Sequence, residues 1–163
     1  MTMGAGEAHT ISNGSRKLAM TVVGEGPNLL FVHGLGSGQV FWHALADALS
    51  SQYRCWLLDA RGHGASDRRP GEYTSAGYAS DVAVALDHIG QPTIGVGHSL
   101  GGRSLARVGA KRHQHLAGAY LLDAAILRQD QSDRPAGLLS AFGSQLAMIR
   151  NFQPAGRPVE DYE

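Results

Sequence analysis

The chain has 163 residues, 43% hydrophobic and 17% charged, with a formal net charge of zero, which suits one globular domain and leaves no basic field to draw nucleic acid. Its single cysteine, Cys55, sits in an apolar run, so an internal disulfide and a cysteine-built zinc site are excluded and burial as a small hydrophobe is expected. Met1 to Thr10 has no basic stretch leading into an apolar core, and no run reaches the length of a membrane span; a soluble, cytoplasmic protein without a membrane partner is expected.

His9 to Ser12 and Lys17 to Val23 are β-type runs flanking Asn13-Gly14, a dipeptide suited to a type I′ hairpin, and predict an antiparallel edge. Gly24-Glu25-Gly26-Pro27 turns the chain into Asn28 to Val32, whose Leu29-Leu30-Phe31-Val32 run is apolar on both faces, as in a strand covered from both sides. After His33-Gly34-Leu35-Gly36-Ser37-Gly38, the residues Phe41, Trp42, Leu45 and Leu49 recur at helical spacing. A second strand, Tyr53 to Leu58, closes on Asp59 and opens a glycine-punctuated loop that runs to Asp67; Pro70-Gly71 marks a further turn. A helix is predicted from about Ser75 to Ile89, with Tyr78, Val82, Ala85, Leu86 and Ile89 on one face, Gly90 as its C-cap and Pro92 beyond.

The stretch from Thr93 to Arg103 organises the rest. Ile94 and Val96 lead into Gly97-His98-Ser99-Leu100-Gly101, and Leu105, Ala106, Val108 and Ala110 follow at helical spacing, which places Ser99 at the apex of a strand–turn–helix. On so tight a turn any Cβ two residues before or after the serine would collide with the neighbouring strand or helix. Gly97 to Ser104 also reads as a phosphate-binding loop with Arg103 in place of the lysine, but a planar guanidinium is a poor substitute for that compact charge. A serine standing by chance in a glycine-rich turn is the plainer alternative. Leu116 to Leu122 is one more strand, ending at Asp123. Strands and helices alternate throughout, so the expected fold class is α/β, a mostly parallel sheet with helices on both faces.

Three motifs, His33-Gly34-Leu35-Gly36, Asp59-Ala60-Arg61-Gly62-His63-Gly64-Ala65-Ser66 and Gly97-His98-Ser99-Leu100-Gly101-Gly102, resemble in order and spacing the N-terminal part of an α/β-hydrolase of the esterase, lipase and meta-cleavage-product hydrolase type. The likeness runs from about Lys17 to Ala125. It implies cofactor-free hydrolysis of a small ester, thioester, amide or activated carbon–carbon substrate. Ser99 would be the nucleophile, and the backbone N–H groups of Leu35 and Leu100 would form the oxyanion hole. A serine at this place makes the epoxide hydrolase and dehalogenase reactions, which use aspartate, improbable. His33 resembles the structural histidine of the oxyanion loop, and Arg61 and His63 resemble residues that brace the loop after the second central strand.

The family's triad continues with an acid and a histidine on later loops, and no histidine follows His115. His98 adjoins Ser99 on a turn where neighbouring side chains diverge. His113 lies about 20 Å from Ser99 along the intervening helix. His113 and His115 read as solvated surface residues, without a third partner for a metal site, and Asp123 as a loop or capping carboxylate. Residues 1–125 therefore read as the first part of a hydrolase core and 126–163 as the start of a helical cap, with Leu138, Phe142, Leu146 and Ile149 on one helix face and an irregular tail beyond. The expectation is a truncated chain, weakly active alone and prone to self-association through the exposed edge of its last strand. A non-catalytic module holding a small apolar ligand on the same fold is the alternative.

Overall fold

A computed structural model describes residues 6–124, all of which fall in one compact unit, Met1–Ile126. The expected cap helix and tail lie outside the described residues. Strands β1 (Glu7–Asn13), β2 (Arg16–Val23), β3 (Asn28–Val32), β4 (Arg54–Leu58), β5 (Thr93–His98) and β6 (Leu116–Leu122) form one sheet in the order β1-β2-β4-β3-β5-β6. β1 pairs with β2 and β2 with β4 antiparallel, while β4, β3, β5 and β6 run parallel. The mostly parallel α/β sheet anticipated from the alternation of elements is therefore present, with α1 (His43–Leu49), α2 (Ser75–Ile89) and α3 (Leu100–Ala110) as its helices.

Alternate residues of the central strands feed two cores. Leu30 and Val32 of β3 and Trp56 and Leu58 of β4 join Val82, Ala85 and Leu86 of α2 and Leu105 and Val108 of α3 on one face. Leu29, Phe31, Cys55 and Leu57 face the other way, against Trp42 and Ala46. A both-faces-apolar strand is what such a two-sided core demands.

Two local details differ from expectation. Asn13 pairs with Arg16, so the hairpin's central residues are Gly14 and Ser15, and only Gly14 has positive φ (60°). That is the pattern of a type II′ turn, with glycine at its first central position. Before α1 the chain makes a 3-10 turn, Gln39–Trp42, and it is Trp42 and Ala46 that are buried, whereas Phe41 and Leu45 are exposed. Two apolar stripes lie side by side in this segment, Phe41-Leu45-Leu49 and Trp42-Ala46-Leu49, and the one that buries the larger indole faces the sheet. α2 begins and ends where the sequence places it: the Thr74 hydroxyl accepts the Gly77 N–H, and Gly90, left-handed at φ 66°, donates its N–H to Leu86. Among the described residues β6 pairs only with β5, and Tyr120, Leu121 and Leu122 on it are exposed.

Candidate active site

The parallel strands β3, β4 and β5 release their loops at a common sheet end, and those three loops carry the three motifs. At the tip of β5 the backbone of Ser99 takes φ 50° and ψ −110°, a conformation that costs an L-residue on the order of 1–3 kcal/mol. The surroundings impose it: the Ser99 N–H donates to the Leu122 carbonyl of β6 at 2.9 Å, and the Ser99 carbonyl accepts the Arg103 N–H of α3 at 3.0 Å. A Cβ on Gly97 would lie 2.6 Å from the Gly102 nitrogen, and one on Gly101 would lie 2.1 Å from the Val32 carbonyl oxygen of β3. The glycines two residues to either side of Ser99 thus let helix, strand and turn close on each other. Although Ser99 stands at the N-cap position of α3, its hydroxyl makes no capping bond.

The loop after β3 packs against this turn, since a Cβ on Gly34 would lie 2.7 Å from Nδ1 of His98 and 3.4 Å from Cβ of Ser99. His33 is fully buried; its Nδ1–H donates to the Gly34 carbonyl at 2.7 Å, and its Nε2 accepts the Ala60 N–H at 3.1 Å. Burial, above all, pushes the His33 pKa down, with the Gly34 bond opposing, so the ring is held neutral. Gly36 donates its N–H to Nε2 of His63 at 3.0 Å. The Leu35 N–H has no hydrogen-bond partner among the described residues. The Leu100 N–H heads α3 and is one of the four donors that a helix start leaves unpaired, on the side where the helix dipole favours negative charge.

The loop after β4 is anchored by two carboxylates whose roles the sequence motifs did not single out. Asp59, 2% exposed, accepts the backbone and side-chain N–H groups of Gln39, each at 2.8 Å, and the Ala65 N–H at 3.0 Å, joining the loops after β3 and β4. Asp81 of α2 is wholly buried and takes Arg61 at both oxygens, 2.7 Å from Nη2 and 2.9 Å from Nε, together with the Arg61 N–H at 3.0 Å and Asn13 Nδ2 at 2.8 Å. Arg61 also donates to the Glu72 carbonyl at 2.9 Å. Its hydrogen bonds to Asp81 raise the guanidinium's already high pKa. The bracing role implied for Arg61 thus has a physical partner. A sequence signal existed for it, because Asp81 lies three residues after Tyr78 and four before Ala85, inside the apolar stripe of α2.

Phe41, 52% exposed, stacks on the His98 ring at 5.0 Å and 19°, and with Leu35 it places apolar surface beside the serine turn. Nδ1 of His98 is buried without a partner among the described residues. His113, read as a solvated residue, is only 15% exposed and sits 3.4 Å from Asp87 of α2. Among the described residues no group of three or more His, Cys, Asp or Glu side chains is placed to hold a metal ion, and no helix is long and apolar enough to cross a membrane. Cys55 is buried, which pushes its thiol pKa up to about 11.

A parallel sheet that presents a strained serine between strand and helix, beside a His-Gly loop, defines the class of α/β-hydrolase-fold proteins. The chain belongs to the alpha/beta hydrolase fold family, which it matches over residues 27–150. It is 37% identical over 89 residues to a 2-(acetamidomethylene)succinate hydrolase of Mesorhizobium japonicum, covering 54% of this chain and 32% of that protein. It is 38% identical over 80 residues to a pimeloyl-[acyl-carrier protein] methyl ester esterase of Aeromonas salmonicida, covering 48% of this chain and 30% of that one. Among solved structures, an E-2-(acetamidomethylene)succinate hydrolase superposes with a TM-score of 0.66 at 30% identity, over 71% of this chain and 43% of that chain. An epoxide hydrolase of Vigna radiata superposes with a TM-score of 0.74 at 25% identity, over 93% of this chain and 50% of that one. The chain thus spans half or less of the length of these relatives.

Proposed function

We propose that the protein is a serine hydrolase of small esters or related acyl or carbon–carbon substrates, with Ser99 as nucleophile and the Leu35 and Leu100 N–H groups as the oxyanion hole. The observation that carries this reading is the strained backbone of Ser99, whose hydroxyl is not spent on capping α3. Strain of this sort persists where surrounding structure enforces it and clusters at active sites. In the reaction Oγ attacks the substrate carbonyl, the oxyanion forms against the two N–H groups, the alcohol or equivalent leaves, and water releases the acyl group from the serine. No cofactor is needed. Among the described residues no histidine is hydrogen-bonded to the Ser99 hydroxyl, and the reading assigns no general base. Self-association through the β6 edge belongs to the same reading, with Tyr120 67% exposed on that strand.

The test is hydrolysis of p-nitrophenyl acetate by the chain and by Ser99→Ala. The expected result is slow turnover through an acetyl group carried on Ser99, an adduct absent from Ser99→Ala, whose turnover falls to the roughly 10³ to 10⁴ over water that an oxyanion hole and binding alone supply. Turnover that survives Ser99→Ala unchanged would remove Ser99 from the mechanism, and ligand retention without turnover, indifferent to Ser99→Ala, would favour a binding module instead.

A further inference from the structure

The loops after β3 and β4 are joined by two imidazoles working in opposite directions. His33 belongs to the first loop and accepts the Ala60 N–H of the second; His63 belongs to the second and accepts the Gly36 N–H of the first. Each ring donates from Nδ1 within its own loop, His33 to the Gly34 carbonyl at 2.7 Å and His63 to the Arg61 carbonyl at 2.9 Å. The tautomers are assigned from these partners, since a carbonyl only accepts and an amide only donates. The two rings lie 5.0 Å apart, centroid to centroid.

The bonds fall on two successive peptide planes. The Gly34 carbonyl and the Leu35 N–H share one planar trans unit and point in opposite directions, so holding that carbonyl on His33 fixes where the Leu35 N–H is aimed. The next plane, Leu35 carbonyl to Gly36 N–H, is held by His63. Gly36 itself is left-handed at φ 76°, and a Cβ there would meet nothing within 4 Å, so packing does not restrain it. The hydrogen bond to His63 and the turn that the Ser37 N–H closes on the Gly34 carbonyl at 3.3 Å are the restraints on that residue, and the first is the one made by a side chain.

We propose that His63 is a positioning residue for the oxyanion loop: its imidazole, through Gly36, keeps the Leu35 N–H aimed. The catalytic consequence rests on the serine hydrolase reading. His63 is half-buried, whereas His33 is fully buried. Around His63 stand the His33 ring on the facing loop and Tyr78 of α2, its ring 6.3 Å away.

The experiment follows the Gly36 amide of the whole chain by nuclear magnetic resonance in the wild type, His63→Ala and His63→Gln, paired with p-nitrophenyl acetate hydrolysis. The Gly36 amide resonance is expected to move in His63→Ala and to stay near its wild-type position in His63→Gln, which keeps an acceptor. Residual kcat should drop about tenfold or more in His63→Ala with KM little changed, and be restored in good part in His63→Gln; outright loss of an oxyanion donor costs roughly 10² to 10³. A Gly36 amide that does not move in His63→Ala would overturn the proposal, as would a folded His63→Ala that hydrolyses at the wild-type rate. If Ser99→Ala leaves turnover unchanged while the Gly36 coupling is intact, the hydrolase reading fails and the loop restraint stands, so the two failures are told apart.

Discussion

Asp81 shows what a single residue does at the base of this site. Its two oxygens receive the Arg61 guanidinium, the Arg61 N–H and the Asn13 amide, and none of the carboxylate is exposed. A buried pair of this kind gives little net stability over an apolar substitute, because desolvation offsets the attraction; removing one partner is a different matter, since the other charge is left buried and unpaired. Asp81→Asn keeps the shape and removes the charge. It should destabilise the fold by about 3 kcal/mol, read as a lower urea midpoint, and should loosen the loop after β4, read as faster hydrogen exchange at the Arg61 and Gly62 amides. A midpoint within experimental error of the wild type would show that Arg61 finds other partners, with the Glu72 carboxylate, 3.5 Å from Nη1, the first to look at.

At the scale of elements, α2 is defined by its ends. Thr74 caps the first turn through Gly77, and Gly90 closes the last with a left-handed residue. Thr74→Ala should cost about 1 kcal/mol, measured as a lower Tm, whereas Thr74→Ser should be close to neutral because the accepting hydroxyl remains. Equal effects of the two would mean that the cap bond is not the source. The span and its C-terminal end were legible in the sequence because the signals are local: an apolar stripe at a period of 3.6, then Gly-x-Pro. The strand Leu29 to Val32 was legible for a related reason, its run having no polar face to offer solvent. The Gly97 to Gly102 turn was legible as geometry, since only glycines fit the approaches of 2.1 Å and 2.6 Å that a Cβ would meet there. What sequence could not order was competition between equivalents. Phe41 and Trp42 head two apolar stripes one residue apart, and only the sheet surface chose between them. Asp59 reads as an ordinary loop carboxylate, and Asp81, though marked by its place inside the apolar stripe of α2, does not reveal its partner, because what makes both structural is which amides and guanidinium nitrogens lie opposite them across the fold.

The whole molecule adds a dependence on pH that no single loop has. The sheet is closed on both faces, and the histidine at the head of its central strand, His33, is buried by that closure, with its two ring nitrogens committed to Gly34 and Ala60. Its folded-state pKa is lowered, chiefly by burial. An unfolded chain regains an ordinary imidazole, with a pKa of about 6.5, and therefore binds a proton at a pH where the folded chain does not. By linkage, the contribution of His33 to stability is fully present above about pH 6.5 and is lost as pH falls from there through the folded value. Three other shifted groups do not reach this window: Tyr78 is pushed up, mainly by burial, Cys55 rises to about 11, and Arg61 stays charged. The urea midpoint should therefore be lower at pH 5.5 than at pH 7.5. His33→Asn, which retains a polar side chain beside the Ala60 N–H but cannot titrate, should be less stable at neutral pH and should lose part of that slope. A midpoint that is constant or rises on acidification would mean that His33 accepts a proton in the folded state, and the interlock between the loops after β3 and β4 would then have to survive without the lone pair that receives Ala60.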